Sequence, residues 1–203
     1  MTETDTRVNI IDPKLYQSGW SNNLITREYY FTDGRKLIGG KRGKRYFVDY
    51  LLVYKNTNLA IIEAKAQNKD PLDGLQQSIN YAQKLKIDFV YSTNGDKIYE
   101  HSLLSGKGEF IEYYPTPEEL FYRKFGKLKE QEEKIITQNF YFEGDKKPRF
   151  YQQIAVQKAV EAIASGKDRI LLTVATGTGK TYYVNALAVA ALKQFKEVRY
   201  YSA

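Results

Sequence analysis

Residues 46–65 read YFVDYLLVYKNTNLAIIEAK. Two apolar, β-rich runs, 46–54 (YFVDYLLVY) and 59–66 (LAIIEAKA), flank the polar stretch KNTN, which has the length of a hairpin connection. Three charged residues interrupt them: Asp49 in the first run, Glu63 and Lys65 in the second. Glu63 and Lys65 are two apart, so they point to one face of their strand. With a turn near Asn56, Asp49 lies beside or diagonal to Glu63. Two carboxylates then converge with a lysine next to them. A cross-strand ion pair on an exposed sheet face would use the same residues, and such pairs contribute little. Charges set in a strongly apolar run are costly unless paired, however. Paired carboxylates can hold Mg²⁺, with the Ala64 carbonyl as a further ligand. Such an ion polarises a phosphate, and Lys65 can orient a water or hold developing charge.

The runs to either side predict an α/β domain with a mixed sheet. Residues 1–20 read as a helix running to a turn, broken at Asp12-Pro13 and anchored by Leu15, Tyr16 and Trp20. Residues 25–33 (ITREYYFTD) read as a strand, 72–87 as a helix, and 88–93 and 96–102 as two strands joined through Asn94-Gly95. Thr116-Pro117-Glu118-Glu119 carries the cap, first-turn proline and capping-box glutamate of a helix start. Residues 127–148 are charge-rich and read as a connector, with 127–134 a solvated helix face.

A second pattern begins near Arg149. Residues 150–165 predict a helix with Val156, Val160 and Ile163 on one face, ended by Gly166. A buried strand is expected over 169–175, followed by a glycine loop and a long helix over 180–195. VATGTGKT, Val174 to Thr181, lies at the strand-to-helix junction. Around it, Thr176, Gly177, Thr178 and Gly179 would close backbone N–H groups about phosphates. Lys180 would reach the β- and γ-phosphates, and the Thr181 hydroxyl would take Mg²⁺. Val174 stands where the strict pattern has glycine. These residues predict an ATP-Mg site opening a parallel α/β domain.

Composition sets limits. The chain has 203 residues, is 42% apolar and 27% charged, and contains no cysteine and one histidine, His101. That suits a soluble chain with a real core. It excludes disulfides, cysteine-bound zinc and a histidine-based metal centre, and leaves a hard ion on oxygen ligands as the metal to expect. No apolar run has the length of a membrane span, and the polar start MTETDTRVNI is unlike a secretory signal. The expectation is a cytoplasmic protein with no membrane association. The net charge is +7, with Arg35, Lys36, Lys41, Arg42, Lys44 and Arg45 clustered among Gly39, Gly40 and Gly43. That cluster suits either a solvated turn or a phosphate backbone. His101 and Trp20 read as packing residues, and Tyr29, Tyr30, Tyr113 and Tyr114 as sheet cover.

D-x13-EAK followed by QSINY resembles the PD-(D/E)xK nuclease fold, in the branch that carries a Gln-x-x-x-Tyr motif. Val48 replaces the motif's proline. TETDTRVNIIDPKLYQSGW, REYYFTDGR, GKRGKRYFVDYLLVY, AIIEAKA, YSTNG and YPTPEEL, in that order, resemble the R (motor and nuclease) subunits of type I restriction endonucleases. The resemblance implies that Asp49, Glu63 and Lys65 are the catalytic set and that Gln77 and Tyr81, four apart on one helix face, assist. It also implies that Glu3 approaches the metal. RFYQQIAVQKAV resembles the Q motif of superfamily 2 helicases, which implies adenine recognition by Gln152.

Together these imply a PD-(D/E)xK-type mixed-sheet nuclease domain over 1–126, a connector over 127–148, and an incomplete RecA-like parallel α/β motor domain over 149–203. The expected function is Mg²⁺-dependent cleavage of duplex DNA, with modification (methylase) and specificity subunits as partners. ATP hydrolysis is not expected of this length of chain alone, since no acidic strand motif or arginine finger follows. A nuclease-helicase of DNA repair and a non-catalytic DNA-binding or docking module remain as alternatives.

Overall fold

The computed structural model describes residues 1–32, 44–138 and 148–173, together with Tyr183, Leu187 and Ala191. The chain divides into two compact units, Met1–Tyr54 with Asn58–Gly126, and Lys55–Thr57 with Lys127–Ala203.

The first unit is built on a six-stranded sheet in the order β1-β2-β3-β4-β5-β6. β1 (Ile25–Thr32) pairs antiparallel with β2 (Arg45–Tyr54). β3 (Thr57–Ala64) pairs in parallel with β4 (Phe89–Thr93), and β4, β5 (Ile98–Ser102) and β6 (Lys107–Ile111) then run antiparallel. The turn from β2 to β3 is tighter than expected. Lys55 and Asn56 adopt φ of 47° and 59°, the left-handed pair of a two-residue hairpin, and Thr57 and Asn58 already belong to β3. β3 is buried along most of its length, which explains its nearly unbroken apolar run.

The parallel step from β3 to β4 needs a crossover, and α3 (Leu75–Leu85) supplies it. Gly74 caps its start with φ +94°, and Lys86 closes it with φ +56°. The Asn94-Gly95 turn forms as expected: Asn94 Oδ1 accepts from Asp96 N at 3.2 Å and Lys97 N at 3.0 Å. A Cβ on Gly95 would fall 2.9 Å from Thr6 Cγ2 and 3.1 Å from Ile10 Cγ2, so glycine lets the N-terminal helix lie against this turn. β6 was not anticipated. Its residues, KGEFI, are largely exposed, so no apolar alternation marks it.

The N-terminal segment corrects another expectation. Asp12-Pro13 does not break the helix. α1 (Glu3–Thr6) widens into a π-turn over Arg7–Ile11, in which the Asp12 N–H donates to the Arg7 carbonyl five residues back. α2 (Asp12–Gln17) follows with Pro13 in its first turn. The widened turn makes room for the ring, and proline has no N–H to lose there. Ile11, Leu15 and Trp20 enter the core with Leu52, Leu59, Ile61, Ile62, Phe89 and Tyr91. The Trp20 indole donates to the Pro115 carbonyl at 2.8 Å, just ahead of α4 (Pro117–Phe125). The Thr116–Glu119 capping box forms, with Thr116 N donating to Glu119 Oε2 at 2.8 Å and Glu119 N to Thr116 Oγ1 at 3.2 Å.

The second unit contains α5 (Glu130–Ile136), within the stretch expected as a connector; it buries Ile135 and Ile136. α6 (Phe150–Ala164) buries Val156, Ala159, Val160, Ile163 and Ala164 and ends at Gly166, φ +80°. The strand expected over 169–175 is not seen in its described part. Residues 169–173 carry no ladder, and Leu171 is 91% exposed. A strand needs a neighbour to accept its backbone bonds, and none is present among the described residues of this unit.

Candidate functional site

The hairpin and the α3 crossover gather charged groups at the carboxyl end of β3. Asp49 Oδ2 accepts from the Ala64 backbone N–H at 2.8 Å, which fixes the carboxylate of β2 against the end of β3. Lys65 Nζ donates to Glu63 Oε1 at 2.7 Å. The Asp49, Glu63 and Lys65 side chains keep only 18%, 15% and 20% of their surface exposed. The carboxylates and lysine singled out in the sequence therefore meet in one partly buried place.

Gly74 closes one wall. A Cβ there would fall 3.1 Å from Lys65 Cε, 3.3 Å from Nζ and 3.8 Å from Glu63 Oε1. Only glycine lets the α3 backbone come this close in the left-handed conformation it adopts. Further along α3, Gln77 Nε2 donates to the Tyr81 hydroxyl at 2.6 Å. The Tyr81 ring packs against Phe31 and Tyr46, with centroids 5.6 and 5.3 Å away, and Lys84 Nζ lies 4.1 Å from the Tyr46 centroid. Gln77 and Tyr81 thus form one unit on the helix following Lys65.

Burial pushes the Glu63 carboxyl up, the charges of Asp49 and Glu3 add to this, and Lys65 works against it through its hydrogen bond and charge. Burial alone would lower the Lys65 ammonium. Glu63 more than offsets it, aided by Glu3 and Asp49, so Lys65 stays protonated to a higher pH than usual. Glu3 on α1 therefore acts on the site through its charge. Among the described residues no three acidic side chains gather closely enough to hold an ion by themselves. Two carboxylates and a carbonyl are a fitting set for Mg²⁺, which keeps several waters and takes remaining ligands from a phosphate.

Two contributors carry no motif in the sequence. Arg7 Nη1 lies 3.6 Å from Asp49 Oδ1 and 3.5 Å from Glu28 Oε1, with its guanidinium over the Tyr50 ring, 5.4 Å from the centroid. Gly74 is the second. A glycine before an amphipathic helix signals a turn, but nothing along the chain places residue 7 beside residue 49.

The remaining predicted residues are divided. Gln152 is described, and its Oε1 accepts from Arg149 N at 2.8 Å in the first turn of α6. Thr176, Gly177, Thr178, Gly179, Lys180 and Thr181 lie outside the described residues, as do Arg35, Lys36, Lys41 and Arg42. Lys44 is described, 5.7 Å from the Tyr46 centroid.

Comparison with known proteins gives a consistent answer. Residues 145–200 match the family described as "Type III restriction enzyme, res subunit". The type I restriction enzyme EcoAI endonuclease subunit of Escherichia coli is 38% identical over 197 residues, which cover 90% of this chain and 24% of that one. The EcoKI endonuclease subunit, also of E. coli, is 24% identical over 89% of this chain and 20% of its own length. Among solved structures, a fragment assigned to the HsdR subunit of a type I restriction enzyme from Vibrio vulnificus superposes with a TM-score of 0.82 at 39% identity, covering 94% of this chain and 38% of that fragment. The chain spans about a quarter of one curated relative and a fifth of the other. It is thus a homologue of the endonuclease (HsdR) subunits of type I restriction enzymes.

Proposed function

We propose that the first unit is the Mg²⁺-dependent nuclease of a type I restriction enzyme, cleaving phosphodiester bonds of duplex DNA. The observation that carries this reading is the meeting of Asp49, Glu63 and Lys65 at the end of β3. Asp49, Glu63 and the Ala64 carbonyl would hold the ion, with Glu3 contributing charge. The ion, when bound, supplies Lewis-acid polarisation of the phosphate and eases ionisation of water. The Ala64 N–H keeps Asp49 from rotating. Lys65, held protonated by Glu63, suits a donor role: it orients the attacking water and stabilises charge on the phosphate oxygens. It is poorly suited to take the water's proton. Attack forms a bond from the water oxygen to phosphorus and breaks one P–O ester bond; the water's proton passes to solvent and the departing ester oxygen takes a proton up from solvent. Gln77 and Tyr81 would steady the DNA or the water beside Lys65.

The second unit, in this reading, begins an ATP-driven translocase. Gln152 would read adenine, and Thr176 to Thr181 would cradle ATP-Mg. Modification and specificity subunits are the expected partners in a cytoplasmic complex, and no helix among the described residues is long and apolar enough to cross a membrane.

Asp49→Asn and Lys65→Ala test the nuclease when placed in the full-length homologous subunit and assembled with its partners. Both should slow single-turnover cleavage of unmodified plasmid DNA by roughly 100–1,000-fold, leaving a residual rate, while ATP hydrolysis continues. Intact cleavage by either variant refutes the assignment. A repair nuclease-helicase would instead cleave without modification subunits. A docking module would bind DNA but take up no Mn²⁺ through Asp49.

A further inference from the structure

Arg7 is the cation of this site that phosphodiester chemistry leaves without a task. We propose that Arg7 is a positioning residue which occupies the free oxygen of Asp49 and yields it to an incoming divalent cation by shifting onto Glu28. The proposal rests on reading Asp49 as an ion-holding carboxylate.

The two oxygens of Asp49 are already divided. Oδ2 is committed to the Ala64 N–H at 2.8 Å, so Oδ1 is the oxygen left to offer, and Arg7 Nη1 stands 3.6 Å from it. The same nitrogen is 3.5 Å from Glu28 Oε1. One guanidinium nitrogen thus reaches two carboxylate oxygens at nearly equal distance, as a long hydrogen bond donated to Glu28 and as an ion-pair contact with Asp49. The two carboxylates differ. Asp49 is 18% exposed and faces the site, whereas Glu28 is 74% exposed. Arg7 itself is 15% exposed and lies over the Tyr50 ring, which keeps it from swinging out into water. A shift of a few tenths of an ångström is enough to change its partner.

The backbone is unusual at both ends of this contact. Arg7 opens the π-turn of the N-terminal helix, a feature often found where a helix serves a site. Glu28 adopts φ +52° in the middle of β1, at the gap in the β1–β2 register between Arg27↔Tyr50 and Tyr29↔Val48, level with Asp49. A non-glycine residue there is strained and persists only where its surroundings hold it. This is where a second seat for Arg7 is needed.

Electrostatics supply the exchange. A cation on Asp49 screens it from Glu63 while no ion is bound. A divalent ion repels that cation, and in a partly desolvated site little salt intervenes. Glu28 lowers the cost of displacement by accepting Arg7.

The test is calorimetric titration of the 203-residue chain with Mn²⁺ at low ionic strength. Arg7→Gln should bind Mn²⁺ roughly 3–10-fold more tightly than wild type, because a competing charge is gone. Arg7→Lys, which keeps the charge, should stay near wild type. Glu28→Gln should bind roughly 3-fold more weakly, and this penalty should all but vanish in the Arg7→Gln background, because Glu28 acts through Arg7. Unchanged or weaker binding by Arg7→Gln overturns the proposal, as does a Glu28→Gln penalty of the same size with and without Arg7. A structure of the wild-type chain with Mg²⁺ gives an independent reading if a variant fails to fold: Arg7 should draw away from Asp49 Oδ1 and shorten its existing 3.5 Å contact with Glu28, and Arg7 still 3.6 Å or less from Asp49 Oδ1 with the ion bound overturns the proposal. Asp49→Asn separates the two claims. Loss of Mn²⁺ binding by Asp49→Asn without tightening by Arg7→Gln defeats only the role of Arg7. Unchanged binding by Asp49→Asn defeats the ion site itself.

Discussion

Replacing Gly74 with alanine adds one methyl group, and the structure says where it goes. It meets Lys65 Cε at 3.1 Å and Nζ at 3.3 Å, closer than an ordinary van der Waals contact, with Glu63 Oε1 at 3.8 Å. The residue must also keep φ at +94°, where an L side chain is strained by about 1–2 kcal/mol. The lysine end is flexible and can give way, so the steric part falls mainly on its position. Folding stability should therefore drop by about 1–2 kcal/mol, which for a chain of this size lowers the melting temperature by roughly 2–8 °C.

The functional loss should be larger than that stability loss. Lys65 cannot yield to the methyl group without loosening its 2.7 Å contact to Glu63. A displacement approaching 1 Å in a positioned donor costs on the order of 100-fold in rate. Single-turnover plasmid cleavage by the assembled full-length homologue, beside a thermal melt, measures both effects. The decisive comparison is the double variant Gly74→Ala with Lys65→Ala. Once Lys65 is gone there is nothing to displace, so the cleavage defects should not add, while the melting defect of Gly74→Ala should persist. Cleavage defects that multiply, or a Gly74→Ala protein that cuts at the wild-type rate, would refute the claim that this glycine exists to seat Lys65.

Lys65→Met should move the acid limb of Mn²⁺ binding to higher pH. Glu63 is already raised by burial, with Asp49 and Glu3 adding to it, and Lys65 is the group pulling it down. A raised carboxyl keeps its proton longer in the folded state, so its contribution to stability is greatest at low pH and falls as pH rises through the raised value. Metal binding does the opposite, since it needs the ionised form, and a limb that stays put or moves down contradicts this account. Tyr81→Phe should leave the melting temperature within about 2 °C, since the ring keeps its contacts with Phe31 and Tyr46, yet slow cleavage through loss of the hydroxyl that accepts from Gln77. Wild-type cleavage would remove the hydroxyl from the mechanism. Arg123→Ala leaves Glu100, 7% exposed, without the guanidinium that donates to its Oε2 at 2.9 Å. Because Arg123 is itself 40% exposed, the cost should be about 1–3 kcal/mol in denaturant unfolding, below that of a fully buried pair. Glu100→Gln in the same chain should recover most of it, and no recovery would mean that the loss comes from packing.

The parts of the fold that were legible are those where one residue class repeats or one turn has a fixed chemistry. The apolar run of β3, the Asn94-Gly95 turn and the Thr116–Glu119 box all form as expected. So does the convergence of Asp49, Glu63 and Lys65, because a short hairpin leaves two strands little choice of neighbour. Features set by distant contacts were not legible. β6 is an exposed edge strand whose pairing with β5, and not its own pattern, makes it a strand. Pro13 reads as a helix breaker until the π-turn before it is seen. Residues 169–173 have a strand's composition but no neighbour among the described residues. Arg7 is silent for the same reason: its meaning comes from residues 28 and 49.

Why the site lies where it does follows from the order of the strands. Antiparallel pairing of β2 with β3 brings Asp49 to the end of β3, but two antiparallel strands alone would leave the carboxylates on an open edge. The next connection is parallel, so the chain must leave the sheet at Ala64, cross over, and return as β4. In such a crossover the space beyond the carboxyl end of the strand is where ligands lodge, because the chain departs there and a helix begins beside it. Here the departing residue is Lys65, and the helix begins at Gly74, a methyl group's breadth from its ammonium. The hairpin supplies the second carboxylate, the crossover supplies the lysine and the helix face bearing Gln77 and Tyr81, and the N-terminal helix places Arg7 on the carboxylate that faces it. A substitution that merely weakens the sheet should lower stability and cleavage together. One at Gly74 should separate them, because that residue belongs to the crossover that shapes the site.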